Sequence, residues 1–385
     1  MKIITLSSSN NYGAVLQNFA LSKKLREYNC DVETLRIQET EVSKFTYLRR
    51  PVATLQKIIG LGFDIKRLLT FQASYAIEIK PGIFNDFREE FIGVSKRIYN
   101  YEDLEGLLEE PFAYIVGSDA VWSSDAVFKP PIYLLKFAKN EQIKKIAYAA
   151  SFGKGTLEKY QHEEFRQQLG KFVAIGVRER SGQEIIKKLD HKLLPVRVLD
   201  PTFLITDYSE ILSEKLVPSN RYLVLYRLNQ DNYLAKKTLR FVEKFAEKHR
   251  LIIINISPES NRPLLSPHIS LNPSPGEFLG LIKNAEFVFT NSFHGVVFAL
   301  KLQKDFVCFA RDQFKDKKNL RMIELLEAAG LLHRFFPIEK LNLPTVFSGI
   351  TSNSDELREG LAKLSPLINS SKEFLDQQFS ESGDL

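Results

Sequence analysis

The apolar positions of this chain fall into two alternating registers. Short runs with few polar breaks have the form of strands buried on both faces. They are MKIITL (1–6), DVETLRI (31–37), FAYIVGSD (112–119), KKIAYAAS (144–151), FVAIGVRE (172–179) and VRVLD (196–200). Between them GAVLQNFALSKKLREY (13–28), TLEKYQHEEFRQQLG (156–170) and SGQEIIKKL (181–189) read as helices. Pro201 and a polar run from Asp207 to Asn220 interrupt the rhythm. It then resumes with YLVLYRL (222–228), a helix over 232–249, LIIINI (251–256), a helix in PGEFLGLIKNA (275–285), FVFT (287–290), a helix after His294, DFVCFA (305–310) and a helix over about 319–329. Strands alternating with helices predict parallel sheets covered on both faces.

At 385 residues the chain is too long for one core. The expected fold class is therefore α/β, with two Rossmann-like, doubly wound parallel-sheet domains facing a cleft. The N-terminal domain is expected over 1–206 and the C-terminal one over 220–345, with a helical tail over 354–385. Residues 41–80 fit neither register. They carry Lys44, Arg49, Arg50, Lys57, Lys66, Arg67 and Lys80 against Glu41, Asp64 and Glu78, so +4 of the net +6 sits here among Leu and Ile residues. A basic helical insertion over about 41–95 is expected. It is either a helical pair solvated on one side or an amphipathic surface that docks on anionic lipid.

Composition narrows the class. With 44% hydrophobic and 26% charged residues this is an ordinary globular chain. A net charge of +6 calls for no nucleic acid and suits an anionic substrate or membrane surface. No run reaches the roughly 18 apolar residues of a membrane span. The opening MKIITLSSSNNYG has too short an apolar run for a signal peptide. Two cysteines, Cys30 and Cys308, without metal spacing fit a reduced compartment. A cytoplasmic protein is expected, peripheral at the inner face of the membrane only on the second reading of the basic segment.

Open α/β sheets bind ligands beyond the carboxyl ends of their strands, which directs attention to five junctions. In SSSNNYGAVLQ (7–17), Asn11, Tyr12 and Gly13 start a helix whose free N–H groups either cradle an anion or are simply capped. In YIVGSDAVWSS (114–124), Gly117, Ser118 and Asp119 leave a strand; Asp119 either caps a helix or binds a sugar hydroxyl, with Trp122 as an apolar platform. In IGVRERSG (175–182), Arg178 closes a strand and needs a partner: Glu179, or a carboxylate or phosphate ligand. In TNSFHG (290–295), His294 stands at a helix start between Ser292 and Gly295, suited to acid–base work or to capping through a backbone carbonyl. In KDKKNLRMIELLEAAGL (315–331), Asn319 and Arg321 open an amphipathic helix. No HxH, HExxH or DxD set lies at a junction, so no metal or cofactor is expected.

Taken in order, these pieces resemble the polysaccharide pyruvyl transferase family. The resemblance rests on NNYGAVLQNFALSKKL, GSDAVW, KIAYAAS, VRERSG, VLDPTFL, PGEFLGLIKNAEFVFTNSFHGVVFALKLQKDF and NLRMIELLEAAGL, and runs from residue 1 to about 334. It implies a fold similar to two-domain, GT-B-type glycosyltransferases. It also implies transfer of a pyruvyl group from phosphoenolpyruvate, as donor substrate, onto two hydroxyls of a sugar, forming a ketal and releasing phosphate. The sugar belongs to a polysaccharide or its lipid-linked precursor. His294 matches the family's catalytic or donor-binding His, and Arg178 an Arg that holds the donor. Arg321 or Arg227 would supply further charge. Two other readings use the same junctions: a nucleotide-sugar-dependent glycosyltransferase, and a binding protein without turnover.

Overall fold

The computed structural model describes residues 1–38, 82–107, 111–123, 131–153, 155–228, 232–256, 268–310, 319–341, 346 and 354–380. The basic residues from Lys44 to Lys80 lie outside them. The first sheet comprises β1 (Lys2–Ile4), β2 (Glu33–Ile37), β3 (Val94–Tyr99), β4 (Ala113–Val116), β5 (Lys144–Ala150), β6 (Ala174–Val177) and β7 (Val196–Arg197). All its strands run parallel in the order β3-β2-β1-β4-β5-β6-β7. The second comprises β8 (Tyr222–Tyr226), β9 (Ile252–Ile256), β10 (His268–Leu271), β11 (Phe287–Thr290), β12 (Phe306–Phe309) and β13 (Phe335–Phe336), in the order β10-β9-β8-β11-β12-β13. In each sheet the strand order reverses once, between β1 and β4 and between β8 and β11. That reversal opens a crevice at the carboxyl edge.

The helices follow the same rhythm: α1 (Tyr12–Arg26), α2 (Ile83–Phe87), α3 (Tyr101–Glu105), α4 (His162–Leu169), α5 (Arg180–Leu189), α6 (Asn232–His249), α7 (Pro275–Asn284), α8 (Phe293–Lys301), α9 (Leu320–Ala329) and α10 (Ser354–Phe379). Of the helical insertion expected over about 41–95, the described residues begin at Gly82; α2 and a π-turn over Arg88–Ile92 lead from there into β3, the edge strand beside β2. Val94–Tyr99 (VSKRIY) escaped notice because an edge strand exposed along much of its length lacks the continuous apolar run of a central one.

A single apolar core joins the two sheets. Val15, Leu16 and Phe19 of α1 pack with Phe278 and Ile282 of α7 and Val297 and Phe298 of α8. The linker between the sheets lies flush on α7: a Cβ added at Gly276 or Gly280 would come within 2.0 Å of the carbonyl oxygens of Ile211 and Ser213. Helix α10 returns the chain to the first sheet, where Phe374, Leu375 and Phe379 pack against Met1, Ile3 and Tyr148. Its Ser371 Oγ accepts the backbone N–H of Leu199 at 2.8 Å, which sets the position of the residue that follows, Asp200. Among the described residues no helix is long and apolar enough to cross a membrane.

Candidate functional site

The candidate side chains converge where the carboxyl ends of the two sheets meet. At their centre is Asp200, three residues past β7 and fully buried. Its Oδ1 accepts from the N–H of Thr202 at 3.1 Å and from the Thr202 hydroxyl at 2.8 Å. Its Oδ2 accepts from Arg178 Nη1 at 2.9 Å and Ser118 Oγ at 3.1 Å, and lies 3.2 Å from His294 Nε2. Burial alone would raise the pKa of this carboxyl. The charges of His294 and Arg178, with hydrogen bonds from His294 and Thr202, outweigh it and hold the group well below the usual carboxylate range. Asp200 is therefore an ionised acceptor, and the His294 nitrogen facing it carries a proton. That leaves Nδ1 as the nitrogen able to exchange one.

The sequence around His294 explains how the ring is presented. Thr290 Oγ1 accepts from the N–H of Ser292 at 3.0 Å, and Ser292 Oγ caps α8 through the N–H of Gly295 at 3.4 Å. Asn291 bonds both the N–H and the carbonyl of Leu228, at 2.7 and 3.2 Å, pinning the turn to the end of β8. Gly295 leaves room for Thr290, whose Oγ1 lies 2.2 Å from where a Cβ would stand. The imidazole, only 6% exposed, rests on the first turn of α1. A Cβ on Gly13 would sit 2.0 Å from His294 Nδ1, so glycine is what lets helix start and imidazole meet. Among the described residues His294 bonds no backbone carbonyl; its partner is Asp200.

Arg178, 4% exposed, has both kinds of neighbour that its position at a strand end demands. Its Nε donates to Glu179 Oε1 at 3.1 Å, and Nη1 bonds Asp200 and, at 3.3 Å, Ser118 Oγ. Glu179 is held in turn by Ser151 Oγ at 2.6 Å. The guanidinium lies 4.7 Å from the Phe293 ring centre, a cation–π distance. Burial works against its charge, but Glu179, Asp200 and Asp119 keep it firmly protonated. One nitrogen, Nη2, is buried and has no hydrogen-bond partner among the described residues. A buried, permanently charged donor without an acceptor is costly, and a ligand oxygen would satisfy it.

Asp119 and Arg321 complete the cluster from opposite domains, 3.8 Å apart. Burial would raise the Asp119 carboxyl, yet Arg178, His294, Arg321 and the N–H of Ala120 hold it below its ordinary value. Asp119 caps no helix among the described residues; its Oδ1 accepts from Ala120 N–H at 2.8 Å. Helix α9, which presents Arg321, is fastened to α5 by Glu324, whose Oε2 accepts the Arg180 N–H at 2.8 Å.

The structure thus brings His294, Arg178, Ser118, Gly13, Asp119 and Arg321 together. The remaining sequence candidates build the walls. Asn11 caps α1 through Gly13 N–H. Gly117 would meet Thr5 at 3.1 Å if it carried a Cβ. Asn319 stands buried before α9 and makes no capping bond. Tyr12 leaves the cleft: its ring stacks on Phe278 at 4.5 Å and its hydroxyl donates to Pro273 O at 2.9 Å. Trp122 is no platform, being buried with Nε1 bonded to Tyr133 O at 2.8 Å. Arg227, past the end of β8, bonds Ala235 O through Nη1 at 3.3 Å. Asp200 was not among the sequence candidates. Its one sequence signal is an Asp directly before a Pro at a strand end, which also reads as an ordinary turn.

With the geometry in view, comparison with known proteins decides the family. The sequence pattern of the polysaccharide pyruvyl transferases matches residues 11–313. The chain belongs to that family. It is therefore an enzyme of the polysaccharide pyruvyl transferase class, and the matched span holds every residue of the cluster except Arg321. No curated protein matches the sequence. Among solved structures the chain is similar to the UDP-GlcNAc 2-epimerase of Methanocaldococcus jannaschii in complex with UDP-GlcNAc and UDP (12% identity, 99% of this chain and 100% of that one, TM-score 0.52). It is also similar to MnaA of S. aureus with UDP (12%, 97% and 90%, TM-score 0.52). A third is UGT89C1 of Arabidopsis thaliana complexed with UDP-L-rhamnose (10%, 99% and 98%, TM-score 0.50). At such identities the likeness shows the fold alone. The pyruvyl transferase has the two-domain parallel-sheet architecture of GT-B-type enzymes.

Proposed function

We propose that this enzyme transfers a pyruvyl group from phosphoenolpyruvate to two hydroxyls of one sugar, giving a cyclic ketal and inorganic phosphate. The observation that carries the reading is the trio of Arg178, Asp200 and His294 in a chain of this family. It offers an orphaned guanidinium nitrogen for a donor oxygen and an imidazole backed by an ionised carboxylate. Phosphoenolpyruvate is a compact polyanion, and Arg178 together with the start of α1 supplies N–H donors and positive potential toward it. His294, protonated at Nδ1, gives that proton to the donor's methylene carbon. The carbon that bears the phosphate becomes oxocarbenium-like and is attacked by a sugar hydroxyl, whose proton ends on the departing phosphate. Loss of phosphate renews the cation for the second hydroxyl, whose proton returns to His294. Acid–base help of this kind is worth about 10²–10⁴ in rate.

The acceptor on this reading is a sugar of a polysaccharide or of its lipid-linked precursor, met at the cytoplasmic face of the membrane by the basic segment Lys44–Lys80. The test is incubation with phosphoenolpyruvate and a panel of aryl and lipid-linked glycosides, measuring phosphate release. Wild type should release phosphate with at least one glycoside. His294→Ala should fold normally and lose most of it. Equal release by both proteins would remove His294 from the chemistry. Thermal stabilisation by nucleotide sugars and not by phosphoenolpyruvate would favour a glycosyltransferase instead.

A further inference from the structure

Asp119 combines two features that its neighbours do not share. Its backbone has φ +84°, a left-handed conformation that glycine adopts freely and that Asp and Asn tolerate through local side-chain hydrogen bonds. Its carboxylate is also only half used. Oδ1 takes the N–H of Ala120 at 2.8 Å, and Arg321 stands 3.8 Å away, beyond hydrogen-bond reach. Oδ2 has no hydrogen-bond partner among the described residues, and the side chain is 18% exposed at the cleft. The turn needs only Oδ1. A second carboxylate oxygen left free beside Arg178 and His294 points to a ligand.

The ligand that this oxygen suits is not the donor. A second anion beside a carboxylate is repelled, whereas a sugar hydroxyl donates to it. Arg178 Nη2 faces the need for an acceptor and Asp119 Oδ2 the need for a donor, so the cleft is divided by charge. We propose that Asp119 holds the acceptor sugar and takes the proton of the first hydroxyl as its oxygen bonds to the donor's cationic carbon. This rests on the ketal-forming reaction proposed above and divides its proton traffic. The hydroxyl's O–H bond breaks as its C–O bond forms, and the proton passes to Asp119. The bond from that carbon to the phosphate-bearing oxygen then breaks with both electrons going to phosphate, which accepts the Asp119 proton. The second hydroxyl's proton returns to His294, replacing the one given to the methylene. Two hydroxyl protons thus end on the new methyl group and on phosphate, and both side chains recover their starting forms. A carboxylate is base enough, because a hydroxyl bonding to a cation becomes strongly acidic.

The test compares Asp119→Asn and Asp119→Gly with wild type, since both tolerate the left-handed backbone and neither has a carboxylate. Phosphoenolpyruvate affinity is measured by calorimetry, and turnover by phosphate release with the glycoside that wild type uses best. Both variants should bind phosphoenolpyruvate at least as tightly as wild type. Their kcat should fall about 10²–10⁴-fold, with a raised glycoside KM. Circular dichroism should show both variants folded at the assay temperature, separating lost chemistry from lost structure. Turnover within threefold of wild type in either variant overturns the assignment. So does a loss of phosphoenolpyruvate affinity that accounts for the lost turnover, which would place Asp119 at the donor. Wild-type protein that neither binds phosphoenolpyruvate nor releases phosphate would sink the reaction itself, and this assignment with it.

Discussion

Replacing Asp200 by Asn is the most demanding test of the site, because it changes one charge and almost no volume. In the native protein Oδ2 receives Arg178, Ser118 and His294, all within 3.2 Å and all buried. The amide can keep Thr202 on its oxygen, but then turns an NH₂ toward groups that need an acceptor. Arg178 keeps Glu179 as its one hydrogen-bonded carboxylate among the described residues, with the charge of Asp119 nearby. Removing one member of a buried pair costs about 3–5 kcal/mol, since the other is left uncompensated. At roughly 2–4 °C per kcal/mol for a domain of this size, Tm should fall by on the order of 10 °C at pH 7. The pH dependence carries the sign. The folded carboxyl is held below its unfolded value, so its stabilisation is complete above the unfolded value of about 3.9 and is lost as pH falls below it. The gap between wild type and Asp200→Asn should therefore be widest near neutrality and narrow below about pH 4. Calorimetric scans from pH 3 to 8 measure it. A Tm within 2 °C of wild type at pH 7, or a gap that does not depend on pH, would refute the view that this carboxylate holds the cluster by charge.

Arg178→Lys should weaken phosphoenolpyruvate binding nearly as much as Arg178→Ala, because an ammonium cannot bond Glu179, Asp200 and a ligand from one plane; unchanged affinity by calorimetry would contradict this. Gly13→Ala puts a methyl where His294 Nδ1 stands and should lower kcat about 10²-fold or more while the fold survives, since an ångström of displacement has that cost; near-normal phosphate release would show that the ring is free to move. Lys301, bonded to Ile205 O at 2.8 Å, has its ammonium pushed down to about 8 chiefly by burial, with Asp200 opposing. Because the unfolded chain binds the extra proton between about pH 8 and 10.4, wild-type stability should rise through that window. Lys301→Met should be more stable at pH 7 by on the order of 3 kcal/mol, an advantage gone near pH 10.4, as urea melts at several pH values would reveal. Replacing Arg49, Arg50, Lys66 and Arg67 with Gln should weaken salt-sensitive cosedimentation with anionic vesicles, given about 1 kcal/mol per basic residue near such a surface; equal binding by both proteins at low salt would exclude the basic segment as a membrane contact.

The alternation of strand and helix, and with it the α/β class, was legible in the sequence because strands such as Ala113–Val116 and Phe287–Thr290 are buried along their whole length. Such strands must be apolar throughout, and that leaves an uninterrupted mark. The edge strands Val94–Tyr99 and His268–Leu271 are partly exposed and left no such mark. The junction residues were legible one at a time, since a His or Arg at a strand end is conspicuous in a line of letters. What each touches was not. Asp200 lies 94 positions from His294 and 22 from Arg178 in the chain, and only the meeting of the two sheets makes it their common acceptor. Tyr12 shows the opposite case: it stands beside Gly13 in the sequence, yet its ring is claimed by Phe278 of the other domain. Local spacing reports which face of an element is buried, because that is decided within a turn or a pleat. Partners across a domain boundary depend on how two cores pack, and that is written in no short stretch of the chain.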